Sequence, residues 1–572
     1  MTLKSKTRSI SLFFFVAFLC SVISTYAQDK LLDIMQNEMT RELSILKKQD
    51  SPPYYMSYRV NEVWSTQISS SFGNTLSSTD NHNRTLTVNV RVGDYNLDNT
   101  REIRGSEDYM DYLSMIPSST RLPLDDNQEG ISQVLWKETN SKYREAVDKL
   151  AKVKTNVAVK VAAEDNSADF SKQDKANIYF DEPFRPDELS MDVREWESKV
   201  NQYSVLFLQV PDIYGGNASV SYTAERKYFV SSEGSKIAQN MTFARLMISG
   251  YIKSDDGMEL PLYKSYFSFN LMGLPPDEQI INDVKEMIAK LKALKTAPVV
   301  DPYSGPAIMS GRASGVFFHE IFGHRVEGHR QKKESEGQTF KKKVGERILP
   351  KHMSVIARPG QKKLGTQDLN GYYLYDDEGV KGEDVVIIKD GILNDFLMSR
   401  VPFEKFPRSN GHGRAQAGYQ PVSRQSNLII ETRHPMPMEE LRKKLIDECK
   451  KQGKEYGYLF SDITGGFTIT GRSIPNSFNV MPTEVWRIFT DGRPDQLVRG
   501  VDLVGTPLAM FSEIAEAGDL PEVFIGTCGA ESGGVPVTAC SPALFINKIE
   551  MQKKEKSQER PPILSRPDAK IP

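Results

Sequence analysis

The segment Phe317-Phe318-His319-Glu320-Ile321-Phe322-Gly323-His324 sets two imidazoles and a carboxylate in the order H-E-x-x-x-H. In the shorter H-E-x-x-H spacing of zinc peptidases, histidines four apart share one helix face and the glutamate serves as general base. The extra residue matters, because positions five apart on a regular α-helix are turned by about 140° from one another. Two such imidazoles meet at one ion only if the helix widens into a π-type turn or ends between them. Gly323, directly before the second histidine, is the expected place for that departure. The chain has only 7 histidines, and His319, His324 and His329 all fall in this window. The spacing is compatible with a metal site and equally with two imidazoles hydrogen-bonded inside a buried helix.

A catalytic zinc takes three protein ligands from imidazole, thiolate and carboxylate, and keeps one position open. Ile525-Gly526-Thr527-Cys528-Gly529 offers a thiol beside glycines that permit close backbone approach. A small buried cysteine without a metal is the competing reading of that segment.

Further landmarks follow the histidine segment in order. They are Asp376-Asp377-Glu378-Gly379 with Gly382, Asp390-Gly391-Ile392-Leu393, Gly411-His412-Gly413-Arg414 with Asn427, Gly465-Gly466, Gly500 to Gly505, then Cys528-Gly529 and Val535-Pro536-Val537. With His319-Glu320-Ile321-Phe322-Gly323-His324-Arg325-Val326-Glu327-Gly328, this series resembles the TldD/PmbA family of metallopeptidases, specifically its TldD-like, metal-binding branch. The resemblance covers about residues 310–544.

It implies a Zn2+ peptidase in which His319, His324 and Cys528 bind the metal and Glu320 activates water. It also implies a dimer, either a homodimer or a heterodimer with a related subunit lacking the motif, whose chamber admits unfolded peptides. A thiolate ligand makes for a tempered Lewis acid and a pH-dependent metal affinity. Around these residues, Glu327 is a candidate partner for a ligating imidazole. His329 stands where similar proteins often carry an acid, and is not counted as a ligand. Arg414 and Asn427 are read either as orienting substrate or as a structural ion pair and a turn amide. Lys341-Lys342-Lys343 reads as a solvated face or a lid. Cys540, close to Cys528 in sequence, reads as an inert buried cysteine, with a disulfide to Cys528 in the absence of metal as the alternative.

The elements that must position these groups read as an α+β chain, with an N-terminal mixed α/β region followed by a β-rich C-terminal domain carrying the metal-site helix. Residues 31–48 have helical periodicity, and Leu86, Val88, Val90 and Val92 alternate as in a half-buried strand. A charged helix begins near 134 inside an expected insertion over 129–180. Strands return near Val220 and Met247, a helix spans 280–294, and the Pro-rich stretch 297–306 reads as a linker. The metal-site helix is expected over 314–324. Asp390-Gly391 and Asp491-Gly492 mark hairpins, and 438–450 is an amphipathic helix carrying Cys449. The expected division is a signal peptide at 1–27, an N-terminal domain at 28–230, a middle region and linker at 231–305, a C-terminal domain at 306–550 and a disordered tail at 551–572.

With 572 residues, 39% hydrophobic and 26% charged, the chain can build two or three cores. A net charge of −2 gives no basic field for nucleic acid. Lys4, Lys6 and Arg8 before an apolar run over 10–23, with Ala27 beyond it, form a signal-peptide layout, so the mature chain is expected to be exported, to the periplasm or outside a bacterium, with no integral membrane span. The residues left after its removal include Cys449, Cys528 and Cys540, too few for a disulfide scaffold, and no C-x-x-C pair suggests thiol redox chemistry. The alternative function is a non-catalytic cell-envelope binding or assembly protein with a structural metal site, for which a fourth protein ligand would speak.

Overall fold

The computed structural model describes residues 29–103, 117, 120–159, 165–472 and 478–554. The alternating run before and after Phe72-Gly73 folds as one long hairpin of β1 (Pro53–Ser71) and β2 (Asn74–Val92). Its tip places Phe72 and Gly73 at φ 48° and 85°, the left-handed pair that matches the twist of a hairpin. With β3 (Ile178–Phe180), β4 (Ile213–Ser231), β5 (Lys236–Lys253) and β6 (Glu259–Ser268) it forms one sheet in the order β2-β1-β4-β5-β3, with β6 also on β5. Helices α1 (Lys30–Leu46) and α2 (Gln128–Val159) cover this sheet, burying Met35, Met39, Ile131 and Leu135 with Leu86 and Val88. The buried Tyr58 hydroxyl ties both helices to it, lying 2.6 Å from Glu42 and 2.8 Å from Thr139. α2 is therefore part of the N-terminal core, more than the surface insertion that its many charges suggested.

Sheet continuity also moves the expected domain limits. A boundary at 230/231 would cut the β4–β5 hairpin, in which Val230 pairs with Lys236. Helices α3 (Val193–Ser204) and α4 (Asp277–Thr296) pack on the same sheet through Trp196, Val200, Val284 and Leu291, so the N-terminal unit runs on to the 297–302 connection. Residues 1–27, read as a signal peptide, lie outside the described residues, as does the tail from 555. No described helix is long and apolar enough to cross a membrane.

The C-terminal half is β-rich. Its strands are β7 (Tyr303–Met309), β8 (Met353–Ala357), β9 (Val385–Lys389), β10 (Ile392–Leu393), β11 (Asn427–Thr432), β12 (Tyr456–Thr468), β13 (Phe478–Phe489), β14 (Val501–Gly505), β15 (Ile514–Ala530) and β16 (Gly533–Lys553). β16 extends three residues into the stretch read as a disordered tail. The sheet runs β10-β9-β8-β11-β16-β14-β13-β12-β7, and β7 also pairs with β16, so the last five strands close into a circuit. The Asp390-Gly391 turn between β9 and β10 has both residues left-handed, at φ 51° and 81°, as that dipeptide led one to expect.

Helix α5 (Gly311–Ile321) leaves β7 at Ser310, whose hydroxyl accepts from the amide of Ala313 as an N-cap. Phe317, Phe318, Ile321 and the following Phe322 are fully buried, with Phe322 stacked on Phe511 at a ring distance of 5.2 Å and Phe318 meeting the same ring edge-on at 5.3 Å. Each such aromatic contributes on the order of 2 to 3 kcal/mol of burial. The helix starts and ends three residues before its expected limits, because the Ser310 cap fixes its start and Gly311 must meet β16: a Cβ there would stand 2.4 Å from the Ser541 carbonyl.

Candidate metal centre

His319 lies in the last turn of α5, and the helix ends before His324. The departure is made at Phe322, with φ −120° and ψ −53°, and is followed by a 3₁₀ turn over Gly323–Val326. This is the helix ending that the five-residue spacing required, although the residue that leaves helical geometry is Phe322. Gly323 serves another purpose, since a Cβ there would stand 2.0 Å from the Gln425 side-chain oxygen. Gln425 in turn reaches the His319 carbonyl at 3.4 Å.

The change of path brings the two imidazoles together, their ring centroids 5.0 Å apart. Cys528, on β15 and 204 residues beyond His324, meets them there with Sγ 3.3 Å from His324 Nε2. One ligand atom from each of His319, His324 and Cys528 lies within 4.8 Å of the others, and this is the only such three-residue group among the described residues. Cys528 and His324 are buried and His319 half-buried. Burial alone would push the thiol up, yet the two imidazoles hold it well below the usual thiol range. Burial likewise works to lower both imidazoles, and the facing thiolate outweighs it and raises them, His324 most. The group is thus a dense cluster of two nitrogens and a sulfur, charged among themselves. That donor set suits zinc, a borderline-soft ion that takes imidazole and thiolate, far better than calcium or magnesium, which take oxygen.

The surroundings orient each donor. Nδ1 of His324 lies 3.3 Å from the fully buried carboxylate of Glu327, which leaves Nε2 facing the thiol. Burial opposes the Glu327 charge, but His324, Arg330 and Arg424 hold its carboxyl down to about 2. Glu327 accepts from Arg330 Nε at 2.8 Å. On the cysteine side, Arg245 donates to the Ile525 carbonyl at 3.1 Å, Asn370 to that of Gly526 at 3.0 Å and Arg424 to that of Cys528 at 2.5 Å. These three side chains fix the backbone that presents the thiol. Glu320 follows His319 in α5, is buried, and rests against Gly466 of β12, where a Cβ would stand 2.9 Å from its Cγ.

Other expectations resolve differently. Arg414 donates to the carbonyls of Gln425 and Pro536 and stacks 4.6 Å from the Tyr373 ring, and Asn427 bridges the carbonyls of Arg358 and Gln361. Both are buried supports, with Arg414 Nη1 and Asn427 Nδ2 donating to backbone carbonyls. Lys341 is buried, 3.3 Å from Glu404, so one of the three clustered lysines is no solvated group. His329 bonds Glu531 at 2.5 Å and stands outside the donor group. Cys540 is free and buried, as its favoured reading has it, and the alternative Cys528–Cys540 disulfide does not fit the strand register. Cys528 pairs with Val535 and Cys540 with Val523, so the two sit on opposite sheet faces about 16 Å apart along the strands, beyond the reach of an S–S bond. A cavity of about 640 Å³ beside Tyr179, Phe184, Lys362 and Tyr372 contains none of these residues.

The contribution of Gln425, Arg424 and Glu531 was not signalled by any spacing in the sequence. Gly465-Gly466 was read only as a family landmark, and its contact with Glu320 emerges from the structure.

Comparison with known proteins gives the family and the fold that the chain resembles. Residues 302–553 match the family model described as the PmbA/TldA metallopeptidase C-terminal domain. A metalloprotease of Archaeoglobus fulgidus is 30% identical over 254 residues, 44% of this chain and 54% of that protein. A zinc metalloprotease TldD homolog of Saccharolobus solfataricus is 24% identical over 366 residues, 62% of this chain and 76% of that protein. The chain spans between 54% and 66% of the length of the first curated relatives it matches. In fold, the chain is similar to the crystal structure of TldE from Thermococcus kodakarensis, with a TM-score of 0.58 at 12% identity, covering 91% of this chain and 99% of that one.

Proposed function

By its residues 302–553 the chain belongs to the TldD/PmbA family, and from that premise we propose that it is a zinc-dependent peptidase acting on unfolded peptides. His319, His324 and Cys528 hold the metal in this reading, and Glu320 is the general base. The observation that carries it is the convergence of these three donors, from segments 204 residues apart, within 4.8 Å. Zinc bound there supplies Lewis acidity and makes water a usable nucleophile near neutral pH.

The chain's own residues do the rest. Glu320, next to His319 and backed by Gly466, takes the proton of the attacking water and delivers it to the departing amine. Glu327 keeps Nε2 of His324 free for the metal by occupying Nδ1. Three donors among the described residues leave room for a further ligand from solvent or substrate, which favours a catalytic site over a structural one.

The reading extends to the setting of the enzyme. The mature chain is exported, on the basis of the charged and apolar N-terminal segment. It works as a dimer with itself or with a related subunit, as its family resemblance implies.

Metal content and cleavage of an unstructured peptide test the proposal on the full chain and on Glu320→Ala and Cys528→Ser. We expect about one zinc per chain in wild type and Glu320→Ala, cleavage by wild type alone, and loss of the metal in Cys528→Ser. A metal-free wild type, or a Glu320→Ala protein that cleaves at the wild-type rate, refutes the mechanism and favours a binding or assembly role.

A further inference from the structure

The two parts of the donor group reach it from separate elements, and the turn that follows the cysteine strand, between Ala530 and Gly533, is tied back to the histidine segment by one carboxylate. Glu531 Oε1 lies 2.5 Å from His329 Nε2, and its Oε2 accepts from Arg330 Nη2 at 2.7 Å. Both donors belong to the short helix α6 (Gly328–Lys332), which begins four residues after His324. Arg330 also donates through Nε to Glu327, the partner of His324. The path from Cys528 to His324 outside the donor group is therefore continuous: three residues along the hairpin to Glu531, across to Arg330, to Glu327 and to the imidazole.

We propose that Glu531 is a positioning residue for the metal centre, clamping the Cys528 hairpin onto α6 so that the thiol and the His324 imidazole are held at coordination distance. The inference rests on the metallopeptidase reading above and adds to it a residue that touches neither metal nor substrate. Two observations support it. Glu531 is bonded by two side chains, both at least nine-tenths buried, so its carboxylate is gripped on both oxygens. Arg424 holds the same turn from its other side, donating to Ser532 Oγ at 2.8 Å and to the Gly533 carbonyl at 2.9 Å, so the hairpin end is fixed at both flanks.

The chemistry asked of the clamp is modest. A β-hairpin end is free to twist, and a thiolate moved by a fraction of an ångström from two fixed imidazoles loses bond overlap with the ion they share. Outer partners of metal ligands typically change affinity by about 10- to 100-fold when removed.

Cobalt(II) as the probe gives a readout independent of turnover, because a thiolate bound to Co2+ absorbs in the near ultraviolet through charge transfer. The full chain, Glu531→Gln, His329→Gln and the ligand variant Cys528→Ser are titrated with Co2+ in competition with a chelator, and thermal unfolding is followed in parallel. Glu531→Gln keeps the size of the side chain and removes its charge. We expect it to weaken Co2+ binding by about 10- to 100-fold and to shift or weaken the charge-transfer band at saturating Co2+, with His329→Gln changing the same two readouts in the same direction. A change in unfolding temperature alone, with the band and the affinity within twofold of wild type, overturns the proposal and leaves the metal site standing. A wild-type chain that shows no charge-transfer band, or a band that survives in Cys528→Ser, overturns the metal reading itself and this inference with it.

Discussion

Gly466 lies directly behind Glu320: a Cβ at 466 would stand 2.9 Å from Glu320 Cγ and 2.7 Å from the Asn479 carbonyl. The strand is irregular at that point, its pairing with β13 slipping between Ile463 and Gly466. A bulged strand bearing no side chain thus forms the wall against which the proposed base rests. Since the Asn479 carbonyl is backbone and cannot swing aside, an added methyl must push on Glu320. We expect Gly466→Ala to cost about 1 to 3 kcal/mol of stability through overpacking. Displacing the base by about 1 Å should lower kcat by roughly 100-fold. Zinc content should stay near wild type. Steady-state kinetics beside elemental analysis check this, and an unchanged kcat would separate Glu320 from the chemistry.

Glu327 carries two burdens, one for the metal and one for stability. Its carboxylate faces His324, Arg330 and, at 3.7 Å, Arg424, and it is wholly buried. Glu327→Gln keeps the shape and removes the charge. Two buried guanidiniums then lose a counter-charge, at a cost of about 3 to 5 kcal/mol. Zinc affinity should fall by about 10- to 100-fold as His324 loses its orienting acceptor. Chemical denaturation and chelator competition measure the two effects separately. Loss of stability with unchanged affinity would leave Glu327 a purely structural residue.

Much of this site was legible in the sequence because its logic is local. The H-E-x-x-x-H spacing demanded a helix ending between the histidines, and α5 ends at Ile321. The alternation at Leu86, Val88, Val90 and Val92 announced a strand, and all four are buried in β2. The Asp390-Gly391 turn was equally readable from its two residues. What the sequence hid is long-range. Nothing in the spacing of Val230 and Lys236 says that β4 and β5 continue one sheet across an expected domain limit. The many charges of α2 masked a buried stripe at Ile131, Leu135 and Thr139, because long charged side chains leave helical periodicity weak. Register hid the most. Cys528 and Cys540 look adjacent in sequence, and only the pairing with Val535 and Val523 separates them.

That separation is testable by itself. Cys540 lies in a small apolar group with Leu369 and Ile429, and burial pushes its thiol up to about 12. Such a thiol is a poor nucleophile toward oxidants. After mild oxidation of the chelator-treated protein, peptide mapping under non-reducing conditions should recover no peptide linking Cys528 to Cys540. Cys540→Ser should leave zinc content unchanged while losing about 1 to 3 kcal/mol of stability, from placing a hydroxyl in that apolar group. A recovered cross-link would mean that the hairpin opens far enough to bring opposite faces together.

His412 supplies a pH dependence whose sign is fixed by its surroundings. The ring is fully buried, with Nδ1 3.1 to 3.2 Å from Asn410 oxygens and Nε2 3.1 Å from the Ser426 hydroxyl. Nδ1–H donates to Asn410 and Nε2 accepts from Ser426, an arrangement that uses the neutral ring fully. Burial drives the imidazole down to about 3, and the charge of Arg414 adds to the effect. In the unfolded chain the same group titrates near 6.5. Between those values the unfolded state binds the extra proton, so the contribution of His412 is complete above about 6.5 and is lost as pH falls toward 3. The slope is about 1.4 kcal/mol per pH unit, amounting to about 4 to 5 kcal/mol over the whole window. Replacing the ring by a side chain that does not titrate, as in His412→Gln, lowers stability at neutral pH but should remove this part of the acid dependence. Unfolding free energies of the two proteins measured from pH 7 to pH 4 should therefore converge as the solution becomes more acidic. Parallel curves would mean that His412 is charged in the folded chain, with both ring nitrogens donating and the Ser426 hydroxyl accepting from Nε2.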